Sequence, residues 1–179
     1  MIIAVRHPRP DIGEGICYGQ RDIGLAEPVA GNVCGLMTGL TGRNLAAIVT
    51  SPLQRAHAYA RALAKALDLP LTVEPRLREM SFGSWEGVAW SEIARAEIDA
   101  WAADPLGYAP GGGESVAQLS ARVSEVWQEA NPGDGDQLWI THAGPMRCLA
   151  ALSERADLRT CLERRFAYCE MLELAPPSR

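Results

Sequence analysis

Three short apolar runs in this chain each stop at a polar cluster. Ile2-Ile3-Ala4-Val5 ends at Arg6-His7. Leu45-Ala46-Ala47-Ile48-Val49-Thr50 ends at Ser51, with Arg55 close behind. Gln137-Leu138-Trp139-Ile140-Thr141 ends at His142. Runs this short and rich in β-branched residues are strands, and continuous apolar character means burial on both faces, as in a parallel sheet. Helical stripes lie between them. Leu53, Ala56, Ala60, Leu63, Ala64 and Leu67 form one; Val116, Leu119, Val123, Val126 and Trp127 another; Met146, Leu149 and Leu152 a third. Strands alternating with such stripes define an α/β fold, here a three-layer α/β/α sandwich around a mostly parallel sheet. Open sheets of this kind bind ligands beyond the carboxyl ends of their strands. All three polar clusters fall there.

The rest of the chain fills in this plan. Val29 to Leu40 reads as a helix and Leu71 to Glu74 as a strand between two prolines. Trp90, Ile93, Ala94, Ile98 and Trp101 mark one further helix, Leu158 to Leu162 a short one, and Phe166 to Leu174 a last strand. Ser51, Pro52 and Gln54 have the pattern of an N-cap, a first-turn proline and a capping box, and Ser115 with Gln118 repeats the box. The loop over residues 11–28, the mixed segment 76–87 and the Pro/Gly-rich stretch 104–113 lack a period, and long irregular loops in compact folds often carry function. No repeat or linker divides the chain, so residues 1–179 are expected to form one domain.

Composition excludes some functions. A net charge of −5 argues against a nucleic-acid surface while allowing local basic pockets. No run approaches the ~18 apolar residues of a membrane span. Arg6 cuts the first apolar run at four residues, unlike a signal peptide. The cysteines number five, an odd count, and form no C-x-x-C; reduced thiols in a cytoplasm fit better than a disulfide framework or a zinc site.

If the three strands are neighbours, two histidines and two arginines converge at one edge. Two guanidiniums beside a helix N-terminus make a pocket for a phosphoryl dianion. A neutral imidazole within it is a competent nucleophile near pH 7. Arg55 lies in the first turn of its helix, where a cation opposes the dipole, which suggests a nearby anion. His57, off that face, reads as structural. A phosphate-binding module without catalysis, or a metal hydrolase using His7, His142 and Glu79, would use the same residues; the arginines would crowd a cation.

At motif level the chain resembles the histidine phosphatase superfamily, the phosphoglycerate-mutase-like proteins. The resemblance rests on Arg6-His7, Ser51-Pro52-Leu53-Gln54-Arg55-Ala56, Leu77-Arg78-Glu79 with Phe82-Gly83-Ser84-Trp85-Glu86-Gly87, Gly112-Gly113-Glu114-Ser115 and Thr141-His142-Ala143-Gly144. It implies a phosphoglycerate-mutase-like fold and a phosphatase that needs no metal or cofactor. By the same resemblance His7 is the nucleophile and Glu79 the proton donor, protonated when substrate is bound. Arg6, Arg55 and His142 bind the phosphoryl oxygens. Cys17, Tyr18, Gly19 and Gln20 resemble the alpha-ribazole phosphatase branch of cobalamin biosynthesis and are expected, with Ala143, to contact substrate. Trp85, Trp90 and the Leu106–Tyr108 rim would complete an aromatic wall, with Arg9 and Arg21 as the spare cations. The expected partner is a small-molecule phosphate ester, and the chain a monomer or homodimer. Phosphatases for sugar phosphates, phosphoglycerate or phosphoserine share these motifs. A mutase would need an inserted guarding segment for which there is little room. Pro8 and Ala143 stand where the family usually has Gly.

Overall fold

The computed structural model describes residues 1–131 and 133–175. Five strands form one sheet: β1 (Ile2–Arg6), β2 (Leu45–Thr50), β3 (Leu71–Val73), β4 (Asp136–Thr141) and β5 (Met171–Leu174). Their order is β3-β2-β4-β1-β5. The first four are mutually parallel, and β5 runs antiparallel along the β1 edge. The expected α/β architecture is therefore present, and the three strands with polar ends are adjacent, β4 at the centre.

Alternation along the strands sorts side chains into two cores. Ile2, Ala4 and Trp139 join Leu119, Val123, Trp127, Met146 and Leu149 on one face, under α4 (Val116–Glu129) and α5 (Ala143–Glu154). Ile3, Val5, Ile48, Leu138 and Ile140 pack on the other against Val33, Leu36, Tyr59 and Leu63 of α1 (Val29–Gly39) and α2 (Gln54–Leu67). Completing the helices are α3 (Arg95–Ala103) and α6 (Leu158–Leu162). Among the described residues no helix is long and apolar enough to cross a membrane.

Three local expectations are corrected. Helix α2 starts at Gln54 behind Leu53, with no side-chain cap. Ser51 instead accepts from the Leu53 N–H, and Gln54 takes Asp22 as its partner. The Trp90–Trp101 stripe is broken at Ile93, which is extended, into a 3-10 turn at Trp90–Glu92 and then α3. The last strand begins only at Met171. The segment before it turns away, Cys169 adopting a left-handed conformation (φ 62°), and brings Tyr168 over Arg6. The Ser115 capping box is present in full. Cys17, Cys148, Cys161 and Cys169 are free thiols; Cys34 lies outside the described side chains.

Candidate active site

The site is built where β1, β2 and β4 end. Parallel pairing puts Arg6 opposite Thr141, and the ladder continues as the His7 N–H donates to the Thr141 carbonyl at 3.0 Å. His7 and His142 therefore meet edge to face, with ring centroids 4.9 Å apart. Both are buried, at 1% and 0% exposure, as is Arg55 at 0%.

Hydrogen bonds assign the His7 tautomer. Nδ1 lies 2.6 Å from the Pro8 carbonyl, which can only accept, so Nδ1 carries the proton. Nε2 then presents its lone pair, which accepts from Arg55 Nε at 3.3 Å. Burial, then the charge of Arg55, pushes the His7 pKa down to about 3. His142 is held well below the usual histidine range, again by burial first and then by His7 and Arg55. Both rings are neutral at neutral pH. Pro8 lacks an N–H, but the contribution required here comes from its carbonyl.

His142 Nε2 lies 2.8 Å from Ser51 Oγ. With the hydroxyl donating, the ring proton sits on Nδ1, which has no partner among the described residues. Arg6 is similar: Nη1 donates to the Phe166 carbonyl at 2.6 Å, while Nε is buried and unpaired. Each unpaired buried donor costs roughly 1–3 kcal/mol. Two such donors beside His7 leave the site short of acceptor atoms, which an oxyanion would supply.

Arg55 is fixed by the first loop. Its Nη2 donates to the Gly19 carbonyl at 2.5 Å and its Nη1 to the Arg21 carbonyl at 2.8 Å, and its guanidinium lies 5.0 Å from the Tyr18 ring centre. Gly19 has φ +35°, and a Cβ there would strike Glu86 and the Met80 carbonyl. Tyr18 is hydrogen-bonded to Tyr168, and burial pushes its hydroxyl up to about 12. Tyr168 in turn lies 4.0 Å from the Arg6 guanidinium and 5.8 Å from the His7 ring.

Glu79 arrives from the chain after β3. A 3-10 turn at Pro75–Leu77 redirects it, capped by Glu74, and Thr141 Oγ1 ties the Leu77 carbonyl at 2.8 Å. The carboxylate accepts from the N–H groups of Met80 at 2.9 Å and Gly144 at 3.1 and 3.2 Å. The acceptor at the start of α5 is thus the protein's own side chain. A Cβ at Gly144 would collide with the carboxylate where it lies, so a larger residue there would have to move Glu79. The Glu79 carbonyl accepts from Gln20 and from Arg122, each at 3.0 Å, and Arg122 is paired with Glu114 at 2.7 Å.

The structure therefore gathers Arg6, His7, Arg55, His142 and Glu79 into one site. The substrate wall is partly corrected. Cys17 is 1% exposed and packs with Trp85 in a small core, its thiol pushed up to about 12 by burial and then Glu86. Gly19 and Gln20 serve Arg55 and Glu79 rather than the solvent side. Tyr18 alone of that motif lines an open cavity, of about 380 Å³, shared with Arg6, Arg9, Trp90 and Tyr168. Ala143 opens α5 and offers only a methyl group. Spacing missed Ser51 as the partner of His142, Arg122 as the clamp under Glu79, Arg147 beside it, and Tyr168. The sequence signal for Tyr168 is an aromatic inside a stretch rich in arginine. No cluster of three or more His, Cys, Asp or Glu suited to a metal ion occurs among the described residues.

The chain belongs to the histidine phosphatase superfamily (branch 1), whose family model matches residues 2–177. A bifunctional protein of Mycobacterium tuberculosis is 32% identical over 85% of this chain, which spans only 43% of that relative. A glucosyl-3-phosphoglycerate phosphatase from the same organism is 30% identical, covering 84% of this chain and 73% of its own. Among solved structures, Bacillus stearothermophilus YhfR superposes with a TM-score of 0.83 at 26% identity, over 97% of this chain and 91% of its own.

Proposed function

We propose that this chain is a phosphomonoesterase working through a phosphohistidine. The observation that carries the reading is the His7 ring: neutral, with Nε2 unprotonated and Arg55 against it. Glu79 takes up a proton as the anionic ester binds. In the first step Nε2 attacks phosphorus, the P–N bond forms as the ester P–O bond breaks, and Glu79 delivers that proton to the departing oxygen. In the second, water attacks the phosphohistidine, Glu79 takes back a proton, and inorganic phosphate leaves. Arg55 shifts from Nε2 to a phosphoryl oxygen as substrate enters. Arg6 Nε and His142 Nδ1–H then gain the acceptors they lack, and stabilise charge on the transferring group. The cationic side chains supply the electrostatics that a metal provides elsewhere, so the reaction runs without one. Rapid quench with a labelled ester tests this: an acid-labile adduct on His7 is expected, and an adduct on His142 instead would overturn the assignment.

Within this class we place alpha-ribazole 5′-phosphate first. Tyr18, Trp90 (37% exposed) and Tyr168 support a flat, weakly charged alcohol. Arg9, the further cation there, already faces Glu14 at 3.9 Å. The glucosyl-3-phosphoglycerate phosphatase relative favours a second reading, an anionic sugar ester. A steady-state panel separates them. The expected kcat/KM for the ribazole ester exceeds that for 3-phosphoglycerate by at least about tenfold, ~1.4 kcal/mol, and the opposite order would select the second reading.

A further inference from the structure

Arg6 and Arg55 reach the site from different elements, the end of β1 and the first turn of α2. Both side chains are long, both charges act on His7, and like charges brought to one pocket repel. Two tyrosines lie against them. The Tyr168 ring centre is 4.0 Å from the Arg6 guanidinium, and the Tyr18 ring centre 5.0 Å from that of Arg55. The two phenol side chains are hydrogen-bonded to each other. Arg6, Tyr168, Tyr18 and Arg55 therefore form one continuous series of contacts beside His7, whose ring is 5.8 Å from that of Tyr168. The segment that carries Tyr168 is built around Arg6. The Phe166 carbonyl accepts from Arg6 Nη1 at 2.6 Å, the Arg6 N–H donates to the Glu170 carbonyl at 3.1 Å, and the Cys169 N–H donates to the Arg6 carbonyl at 3.0 Å. Between those bonds sits the left-handed Cys169 (φ 62°), a conformation uncommon outside glycine. Tyr168 is nevertheless 40% exposed, so packing alone does not fix its ring.

We infer that Tyr168 is a positioning residue for the phosphoryl site: through its hydrogen bond to Tyr18 it sets the spacing of the Arg6 and Arg55 guanidiniums. The inference rests on the phosphohistidine reading above, and it gives the two tyrosines a task apart from contacting the alcohol. A ring face attracts a guanidinium and fixes its plane, while leaving its edge N–H groups free for oxygens. A backbone carbonyl, by contrast, occupies the N–H it accepts from. The ring contacts suit Arg6, whose Nε is buried without a partner among the described residues, and Arg55, whose Nε faces His7 Nε2 at 3.3 Å. Each ring alone would hold one arginine. The bond between the hydroxyls makes the separation of the arginines a property of the pair. That separation matters most in the transition state, where fixed donors act on charge that develops as phosphorus becomes five-coordinate. The tyrosine pair should therefore act on kcat more than on KM, and on a five-coordinate analogue more than on phosphate.

Probes that carry no alcohol separate this task from substrate contact. Inorganic phosphate and orthovanadate, which takes up five-coordinate geometry, are titrated calorimetrically into the wild type, Tyr18→Phe, Tyr168→Phe and the double variant. Each single variant keeps its ring and loses the bond between the hydroxyls. Each should weaken vanadate binding at least about fivefold, and phosphate binding less. Each should also lower kcat for p-nitrophenyl phosphate by a similar factor, with KM within about twofold of the wild type. The double variant should match the singles rather than show the ~25-fold product of two independent fivefold losses, because both substitutions remove the same bond. Tyr168→Leu, which removes the ring face as well, should weaken vanadate further. Vanadate affinity unchanged in the Phe variants, or losses that multiply in the double variant, would overturn the inference. So would a defect confined to KM, the mark of tyrosines that only contact the alcohol. Failure of the phosphohistidine reading looks different: the wild type itself would show no adduct on His7 and no turnover. The single variants remain decisive if the double variant does not fold.

Discussion

Lowering the pH should destabilise this fold in a way that His7 accounts for quantitatively. Its pKa is about 3 in the folded chain, against 6.5 for an unperturbed histidine. The folded state therefore binds fewer protons than the unfolded one between those values. Stability is full above about pH 6.5, declines as pH falls, and levels off near pH 3. Going from pH 7 to pH 5, the unfolded histidine gains about three-quarters of a proton and the folded one almost none. The linkage integral gives about 2 kcal/mol lost from this residue alone, a large share of an ordinary folding free energy of ~5–15 kcal/mol. His142 acts in the same direction. The assay is urea denaturation of the wild type and His7→Gln at both pH values. The variant keeps His142 and every carboxylate, so the difference between the two pH dependences isolates His7. The wild type should lose about 2 kcal/mol more than the variant. Parallel losses, within the usual scatter of about 0.5 kcal/mol, would refute the claim that His7 is buried as a neutral ring.

Glu79→Gln should slow hydrolysis of alkyl phosphates by ~10²–10⁴-fold and barely affect p-nitrophenyl phosphate, whose leaving group needs little protonation; equal losses on both would assign Glu79 another role. Gly144→Ala should displace the Glu79 carboxylate and lower kcat for alkyl phosphates by at least about tenfold, ~1.4 kcal/mol in the barrier, measured beside an unchanged circular dichroism spectrum. Pro8→Gly retains the carbonyl that fixes the His7 tautomer, so kcat/KM should stay within about tenfold; chemical denaturation should register a cost of ~1–2 kcal/mol from chain entropy and the lost contacts of the buried ring.

The sheet and its polar edge were legible because a strand must change character where it leaves the core. Arg6-His7, Thr50-Ser51 and Thr141-His142 each mark that exit, and parallel pairing does the rest. Glu79 was legible only through family resemblance, since it stands in a loop without periodicity and is placed by tertiary ties from Thr141, Gln20 and Arg122. The cap of α2 was misread because Ser51 has two suitors. Local pattern sees the helix N-terminus, whereas the fold brings His142, ninety-one residues away, within 2.8 Å of its hydroxyl. Cys17 was misread for a related reason. A small thiol in a glycine-rich loop gives no sign that the loop folds back onto Trp85 and Ile93. Arg147 was invisible as a site residue because a single arginine in a helical stripe looks like a solvated one.

The tie between Glu79 and the first turn of α5 also governs motion. Without it, the carboxylate would fluctuate with the amplitude of the irregular segment that carries it, while His142, at the head of a twelve-residue helix seated on the sheet, would move with the core. Bonding to Gly144 makes the acid ride on that same helix. The distance from proton donor to phosphoryl cradle is then set by a rod rather than by a loop.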